Sequence, residues 1–354
     1  MATRRIQNGR IWDGNRFFYG DIFTENDKIA EIAPRISRTA DFVYDAAGRI
    51  VTAGLVDAHM HMRVIAGERY GISPEIACFP FGVTAAADAG RVQGERAVLD
   101  AFQVKNVVFP TALIRGNQPN LAKLEETVAQ FGDKVVGVKV YFDATQSEVS
   151  DISPLAEVCA YAKARGLRVM VHCAHSPASM GEILAALNPG DILTHAFHGA
   201  ENTAAEDGFA SMKEAKARGV VIDTGFAGNF HTDYRIFREA IQAGVIPDTV
   251  STDVTKGSAF TRGGRYGMTM CMTMAKRMGM AEEDIFRAVT SNPAKALGKE
   301  EWGRLTVGGN ADLAVLEETD EGFSITDKAG NTLETKTGYR CVLTIADGLV
   351  VYRD

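Results

Sequence analysis

Two histidines alternate with apolar residues in Val56-Asp57-Ala58-His59-Met60-His61. Residues two apart on a strand share a face, so His59 and His61 would point the same way, as two imidazoles must to hold one metal ion. Further along, other residues of ligand type fall within or at the end of apolar runs. Lys139 lies in Gly137-Val138-Lys139-Val140-Tyr141, His172 closes Val169-Met170-Val171-His172, His195 closes Ile192-Leu193-Thr194-His195, and Asp253 closes Val250-Ser251-Thr252-Asp253. Neutral imidazoles and carboxylates suit zinc, and also accept manganese, iron or nickel. Lys139 is the odd member, because an ammonium beside a divalent cation is repelled. It is open to two readings. One is a structural lysine reaching solvent or an acidic neighbour such as Asp143. The other is a lysine that has added carbon dioxide to become a carbamate, whose two oxygens can bridge two metals; burial beside cations favours the neutral amine this needs.

The elements that must position these side chains form an alternating pattern. Eight short apolar runs, Ile50–Ala58, Val83–Asp88, Val107–Leu113, Val135–Phe142, Leu167–Cys173, Ile192–Ala196, Val220–Thr224 and Val250–Asp253, are separated by stretches with helical spacing, such as Asn120–Phe131, Ile152–Arg165, Met180–Leu187, Ala210–Arg218 and Asp233–Ala243. Strand–helix alternation implies a parallel sheet, and eight repeats point to an α/β chain with a (β/α)₈ barrel over residues 53–302. In a barrel the C-terminal strand ends surround one mouth, so His59, His61, Lys139, His172, His195 and Asp253 would converge there. The ends of the chain read differently. Asn8-Gly9 and Asp13-Gly14 are turn dipeptides between strand-like pieces, and Arg340–Ala346, Asp347-Gly348 and Leu349–Tyr352 read as a hairpin. Residues 1–52 and 303–354 are therefore expected to form a small composite β-sandwich.

Composition narrows the class. The 354 residues are 46% hydrophobic and 23% charged, as in a soluble globular protein. The net charge of −7 without a basic block argues against a nucleic-acid partner, and no stretch approaches a membrane span. Met1-Ala2-Thr3-Arg4-Arg5 is not followed by an apolar signal core, and five scattered cysteines suit a reducing cytoplasm. The methionines crowded between Met268 and Met280 read as deep burial or a subunit contact, leaving a homo-oligomer open, rather than as a copper site.

In combination, Asp57-Ala58-His59-Met60-His61, Gly82-Val83-Thr84, the lysine strand, single histidines on strands five and six and an aspartate on strand eight resemble the amidohydrolase superfamily. Ser291-Asn292-Pro293-Ala294-Lys295-Ala296-Leu297-Gly298 resembles its last barrel helix, and Gly303-Arg304-Leu305 through Gly308-Gly309-Asn310-Ala311-Asp312-Leu313-Ala314 its return into the sheet domain. The resemblance covers essentially the whole chain and leans toward bacterial deacetylases of the dihydroorotase-like branch. It implies a distorted TIM barrel with two divalent ions, zinc by preference. His59, His61 and Asp253 would hold one ion, His172 and His195 the other, with carbamylated Lys139 and a hydroxide bridging them. It also implies hydrolysis of an amide or ester, with Asp253 as the general base and then acid.

Some residues bear on the substrate. Arg63 completes His-x-His-x-Arg, which resembles the dihydroorotases, where such an arginine holds a substrate carboxylate; pairing with Glu68 at the surface is the other reading. His198 stands where the related enzymes tend to have asparagine, so a different substrate contact is expected there. Arg262 and Arg265, after Asp253, are open to clamping an anion but read better as solvated, and His175 and His231 read as loop residues at the same mouth. The expected substrate is a small carboxylate-bearing molecule, an N-acyl amino acid or O-acyl 2-hydroxy acid. A cyclic amidase of the dihydroorotase or hydantoinase type is an alternative. A mononuclear amino-heterocycle deaminase is a further alternative, but it would use a glutamate shortly after His172, whereas Glu182 lies ten residues past it, and it gives Lys139 no task. An inactive barrel scaffold is disfavoured by the intact ligand set.

Overall fold

The structure is a computed structural model that describes residues 2–62, 70–90, 95–112, 114–228, 230–261 and 266–354. Apolar alternation at the two ends of the chain builds one mixed sheet. Strands β1 (Thr3–Trp12), β2 (Phe17–Glu25), β3 (Lys28–Ala33), β4 (Phe42–Asp45) and β5 (Ile50–Ala53) join β15 (Leu313–Thr319), β18 (Gly338–Ala346) and β19 (Leu349–Arg353). The order is β19-β18-β15-β5-β1-β2-β3, with β4 beside β1. The two ends meet at the antiparallel β5–β15 ladder, where Ala53 faces Leu313 and Ile50 faces Leu316. Ile6, Ile22, Val51, Leu313 and Leu343 pack into one core under this sheet, and Arg49 clasps Glu317 at 2.6 Å on its rim. The expected hairpin is β18–β19, turned by Asp347 and Gly348, both at positive φ. Asn8-Gly9 differs from expectation. It lies inside β1 as a bulge, Asn8 at φ 57° and the register shifting between Ile6 and Gly9, so the dipeptide's ease in left-handed backbone serves a strand irregularity instead of a turn.

The middle of the chain gives parallel strands. β6 (Leu55–Met60), β7 (Val83–Gly90) and β8 (Lys105–Pro110) form one sheet, and β11 (Gly137–Tyr141), β12 (Arg168–His172), β13 (Ile192–Thr194) and β14 (Val221–Ile222) another. Parallel bridges Val108–Val135 and Thr111–Lys139 run from β8 toward β11, Asp223–Thr249 lies just past β14, and Met60–Val254 touches the end of β6. The third apolar run ends on Leu113, outside the described residues. Small hairpins β9–β10 (Ile114–Arg115, Gln118–Pro119) and β16–β17 (Phe323–Thr326, Thr332–Thr335) complete the strands. Helices fill the predicted intervals: Leu121–Phe131 capped by Asn120, Ser153–Ala164, Met180–Ala186 capped by Ser179, Ala210–Arg218, and Tyr234–Gln242 capped by Asp233. Helix Met268–Met278 buries Met268, Cys271, Met272, Met274 and Met278 within the chain, which satisfies the burial reading of its methionines. No helix among the described residues is long and apolar enough to cross a membrane.

Two runs depart from regular strands. Ile50–Ala58 is not one strand but two, broken at Gly54, where the chain leaves the terminal sheet and enters the parallel one. Gly54 N donates to Asp312 O and Leu55 N to Gly82 O, and a Cβ on Gly54 would stand 2.0 Å from Thr84 Oγ1. Val250–Asp253 forms no ladder of its own. Its backbone is shared among three neighbours, Val250 N donating to Ala288 O, Phe226 N to Ser251 O, and Asp253 N to His59 O.

Gly54→Ala is expected to cost about 1–3 kcal/mol through overpacking against Thr84. Gly181→Ala is the control, because its Cβ would meet only Ser211 at 3.8 Å and a helical alanine is stabilising by roughly 0.5–1 kcal/mol. Urea denaturation midpoints of the two variants check both signs.

Candidate metal centre

Each polar residue of the apolar runs reaches one place because the strands are in register. Tyr141 pairs with His172, and His172 with Thr194, so β11, β12 and β13 end at the same level; Lys139 lies two residues inside β11. His59 ends β6 with Met60, and His61 follows it. His195 and Asp253 both adopt left-handed backbone, at φ 59° and 47°, a conformation costing roughly 1–2 kcal/mol for a residue with a Cβ. Such strain persists only where the surroundings impose it, and functional sites are where it collects.

The result is two clusters. One atom each from His59, His61 and Asp253, and one each from His172, His195 and His231, lie within 4.8 Å of their fellows. Asp253 sits between the clusters, its Oδ1 at 2.7 Å from His61 Nε2 and 3.3 Å from His59 Nε2, and its Oδ2 at 3.9 Å from His195 Nε2. Lys139 Nζ approaches His59 Nε2 to 3.3 Å. Although buried, His172 Nε2 makes no hydrogen bond. Converging donor atoms that leave each other's hydrogen bonds unmade are what a cation would satisfy. The donor set, imidazole and carboxylate, suits zinc.

Electrostatics keep these groups ready to donate electron pairs. Burial, reinforced by the Lys139 charge, lowers the His59 pKa to about 4; burial and His172 take His231 to about 3. His195 is likewise pushed well down by burial and then by His231. Burial alone would raise the Asp253 carboxyl, but His59, His61 and His231 outweigh it and hold it below the usual carboxylate range. Lys139 is fully buried. Its pKa falls to about 8, chiefly by burial and against the pull of Asp253 and Asp223. The reading in which Lys139 reaches solvent therefore does not hold. Asp143 is otherwise occupied, accepting from Thr145 and Gln146 and lying 3.6 Å from His172 Nε2.

A second layer fixes the imidazoles. Thr194 Oγ1 donates to Asp223 Oδ2 at 2.7 Å, so its remaining contact, His59 Nδ1 at 2.9 Å, must be the donor. That places the His59 proton on Nδ1 and leaves Nε2 bare toward Asp253. His195 Nδ1 donates to Gly225 O at 2.7 Å, baring its Nε2 by the same logic.

His231 is the residue for which sequence position gave no strand assignment. It stands in the loop after β14, yet its ring lies 4.2 Å from that of His195 and 5.0 Å from that of His172. His198 is buried at the edge of the site, in a cavity with His231. His175 is partly exposed and pairs with Glu201 at 3.0 Å. Arg63, Glu68, Arg262 and Arg265 lie outside the described residues. Glu182 belongs to a capping box with Ser179 at the start of helix Met180–Ala186.

The sequence pattern of the Amidohydrolase family matches residues 50–350. A deacetylase of Enterococcus faecalis is 28% identical over 370 residues, covering 98% of each chain. In solved structures, a dihydroorotase superposes with a TM-score of 0.87 at 23% identity, covering 100% of this chain and 98% of its own. An adenine deaminase superposes with a TM-score of 0.85, also at 23% identity, with both chains fully covered. At that identity the two structures share the fold.

Thr194→Val removes the acceptor for His59 Nδ1 and is expected to weaken zinc binding by about 10–100-fold with little change in melting behaviour. Competition for zinc against a chromophoric chelator gives the number; unchanged affinity would dismiss the role assigned to Thr194.

Proposed function

From the premise that the chain belongs to the amidohydrolase family, and so hydrolyses carbon–nitrogen bonds, we propose that it is a metal-dependent deacylase acting on an N-acyl amino acid, or on the ester of an O-acyl 2-hydroxy acid. The observation that carries this reading is Asp253, buried between two histidine clusters with its Oδ1 2.7 Å from His61 Nε2 and its Oδ2 3.9 Å from His195 Nε2. The deacetylase of Enterococcus faecalis, similar along nearly its whole length, supports the reaction class. The parallel bridges at Val108, Thr111, Asp223 and Met60 support a closed (β/α)₈ barrel over 53–302, with 1–52 and 303–354 as a composite sheet domain.

His59, His61 and Asp253 would hold one divalent ion, and His172 and His195 a second, with carbamylated Lys139 between them and zinc the best match to the donors. His231 extends the second cluster. When bound, such ions acidify a water and polarise a carbonyl. Asp253 Oδ1 takes the proton of the attacking water as it adds to the acyl carbon. The same carboxyl then returns that proton to the leaving nitrogen or oxygen as the bond breaks. For Lys139, full burial with His59 as its hydrogen-bonding neighbour supports the carbamate: the ammonium loses one proton, and the neutral amine nitrogen then bonds to carbon dioxide and sheds a second, replacing a buried cation by an anion among metal ligands.

The adenine deaminase fold leaves a deaminase as the second reading. Against it stand Lys139 at the centre of the site and Glu182 committed to its helix cap. Five free, buried cysteines fit a reducing compartment such as the cytoplasm.

Protein produced with zinc and bicarbonate is expected to carry about two equivalents of metal per chain by elemental mass spectrometry, to release acetate from N-acetyl amino acids, and to lose turnover on chelation. One equivalent, with ammonia released from amino-heterocycles, would shift the assignment to the deaminase. Lys139→Ala should lose most metal and activity, with partial rescue by short organic acids; unaltered turnover in that variant would sink the two-ion site.

A further inference from the structure

The C-terminal segment reaches into the site. Between β16 and β17 the chain turns through Asp327-Lys328-Ala329-Gly330, and Lys328 and Ala329 line a cavity of 460 Å³ whose other walls include His198, Glu201, Phe230 and His231. His231 belongs to the second histidine cluster, so this cavity borders that cluster. The turn is held there by a buried carboxylate. Asp327 accepts from Tyr234 N at 2.9 Å, from Asn331 N at 2.7 Å and from Asn331 Nδ2 at 2.8 Å, tying the hairpin to the first residue of helix Tyr234–Gln242.

We propose that Lys328 and His198 form the subsite for the substrate's carboxylate, Lys328 supplying the charge and His198 a directional hydrogen bond. His198 Nδ1 accepts from Ala200 N at 3.2 Å, which puts the ring proton on Nε2. That buried Nε2–H has no acceptor. A buried donor without a partner is costly, and a ligand oxygen relieves it. Lys328 is the one residue with a full positive charge among those lining the cavity, and it pairs with no carboxylate among the described residues. The acidic liners are engaged: Glu201 contacts His175 at 3.0 Å, and Asp233 caps helix Tyr234–Gln242. Phe230, 61% exposed beside them, offers an apolar wall to the substrate's side chain. The acid taken is therefore an N-acyl amino acid with an apolar side chain, a specification that rests on the deacylase reading.

The test compares N-acetyl-phenylalanine with its carboxamide on the zinc-loaded enzyme. Wild type should favour the acid in kcat/KM, and Lys328→Gln should lose about ten-fold more on the acid than on the carboxamide, chiefly in KM. Lys328→Glu should reverse the preference. His198→Ala should lower the preference and His198→Gln, which keeps a donor, restore part of it. A wild type indifferent to the carboxylate, or a Lys328→Gln that keeps the full preference, overturns the subsite. If neither compound is hydrolysed, the deacylase reading fails separately, and calorimetric binding of the same pair decides the subsite: tighter acid binding lost in Lys328→Gln supports it, equal binding refutes it.

Discussion

The carboxylate of Asp57 joins the first parallel strand to the run that ends in Asp253. It accepts from His59 N and Thr252 N, each at 3.2 Å, and from Thr252 Oγ1 at 2.6 Å. Because Thr252 precedes Asp253 and His59 is two residues on, this side chain braces the offset between the paired histidines and the aspartate facing them. The run 250–253 has no ladder of its own, so this anchor works with the backbone bonds Asp253 N to His59 O and His61 N to Val254 O to set its height. Burial pushes the Asp57 pKa up to about 7 against the pull of the Thr252 and His59 hydrogen bonds. Leaving a buried acceptor or donor of this kind unpaired costs about 1–3 kcal/mol, which is why the contact specifies geometry as well as adding stability.

Asp223 does similar work on the opposite side. Three hydroxyls converge on it, Thr194 at 2.7 Å, Thr249 at 2.6 Å and Ser251 at 2.7 Å, and through Thr194 it sets the tautomer of His59. These carboxylates sit away from water, where each hydrogen bond is stronger and each unmet one more expensive. His59 and His195 thus have their outward nitrogens engaged and their inward nitrogens bare. Left-handed backbone at His195 and Asp253 re-aims two side chains that a straight strand would point elsewhere.

The two ends of the chain contribute unequally. The amino-terminal strands join β15 through β5 and remain in the terminal sheet, whereas the carboxy-terminal segment also sends the β16–β17 turn to the cavity lined by His198 and His231. Asp327 makes that reach rigid by occupying the backbone N–H of Tyr234. A segment remote in sequence from every histidine thereby forms part of the wall against which a substrate would rest.

What the sequence determined follows from period and placement. Two-residue alternation at His59 and His61, and single polar residues at the ends of apolar runs, could be read directly, because strand geometry turns spacing into direction. The helices between them were equally legible from their apolar spacing, and the structure adds the caps Asn120, Ser179 and Asp233 at their starts. The break at Gly54 was not, since continuous apolar character looks the same in one strand as in two, and only the closeness of Thr84 shows why a glycine stands there. Nor was the Asn8 bulge, because the same dipeptide serves turns and bulges alike. His231 and Lys328 lie in a loop and a turn, where no periodicity assigns a side chain to a face. Their places were decided only when tertiary packing laid the loop over His172 and His195 and docked the turn on Tyr234.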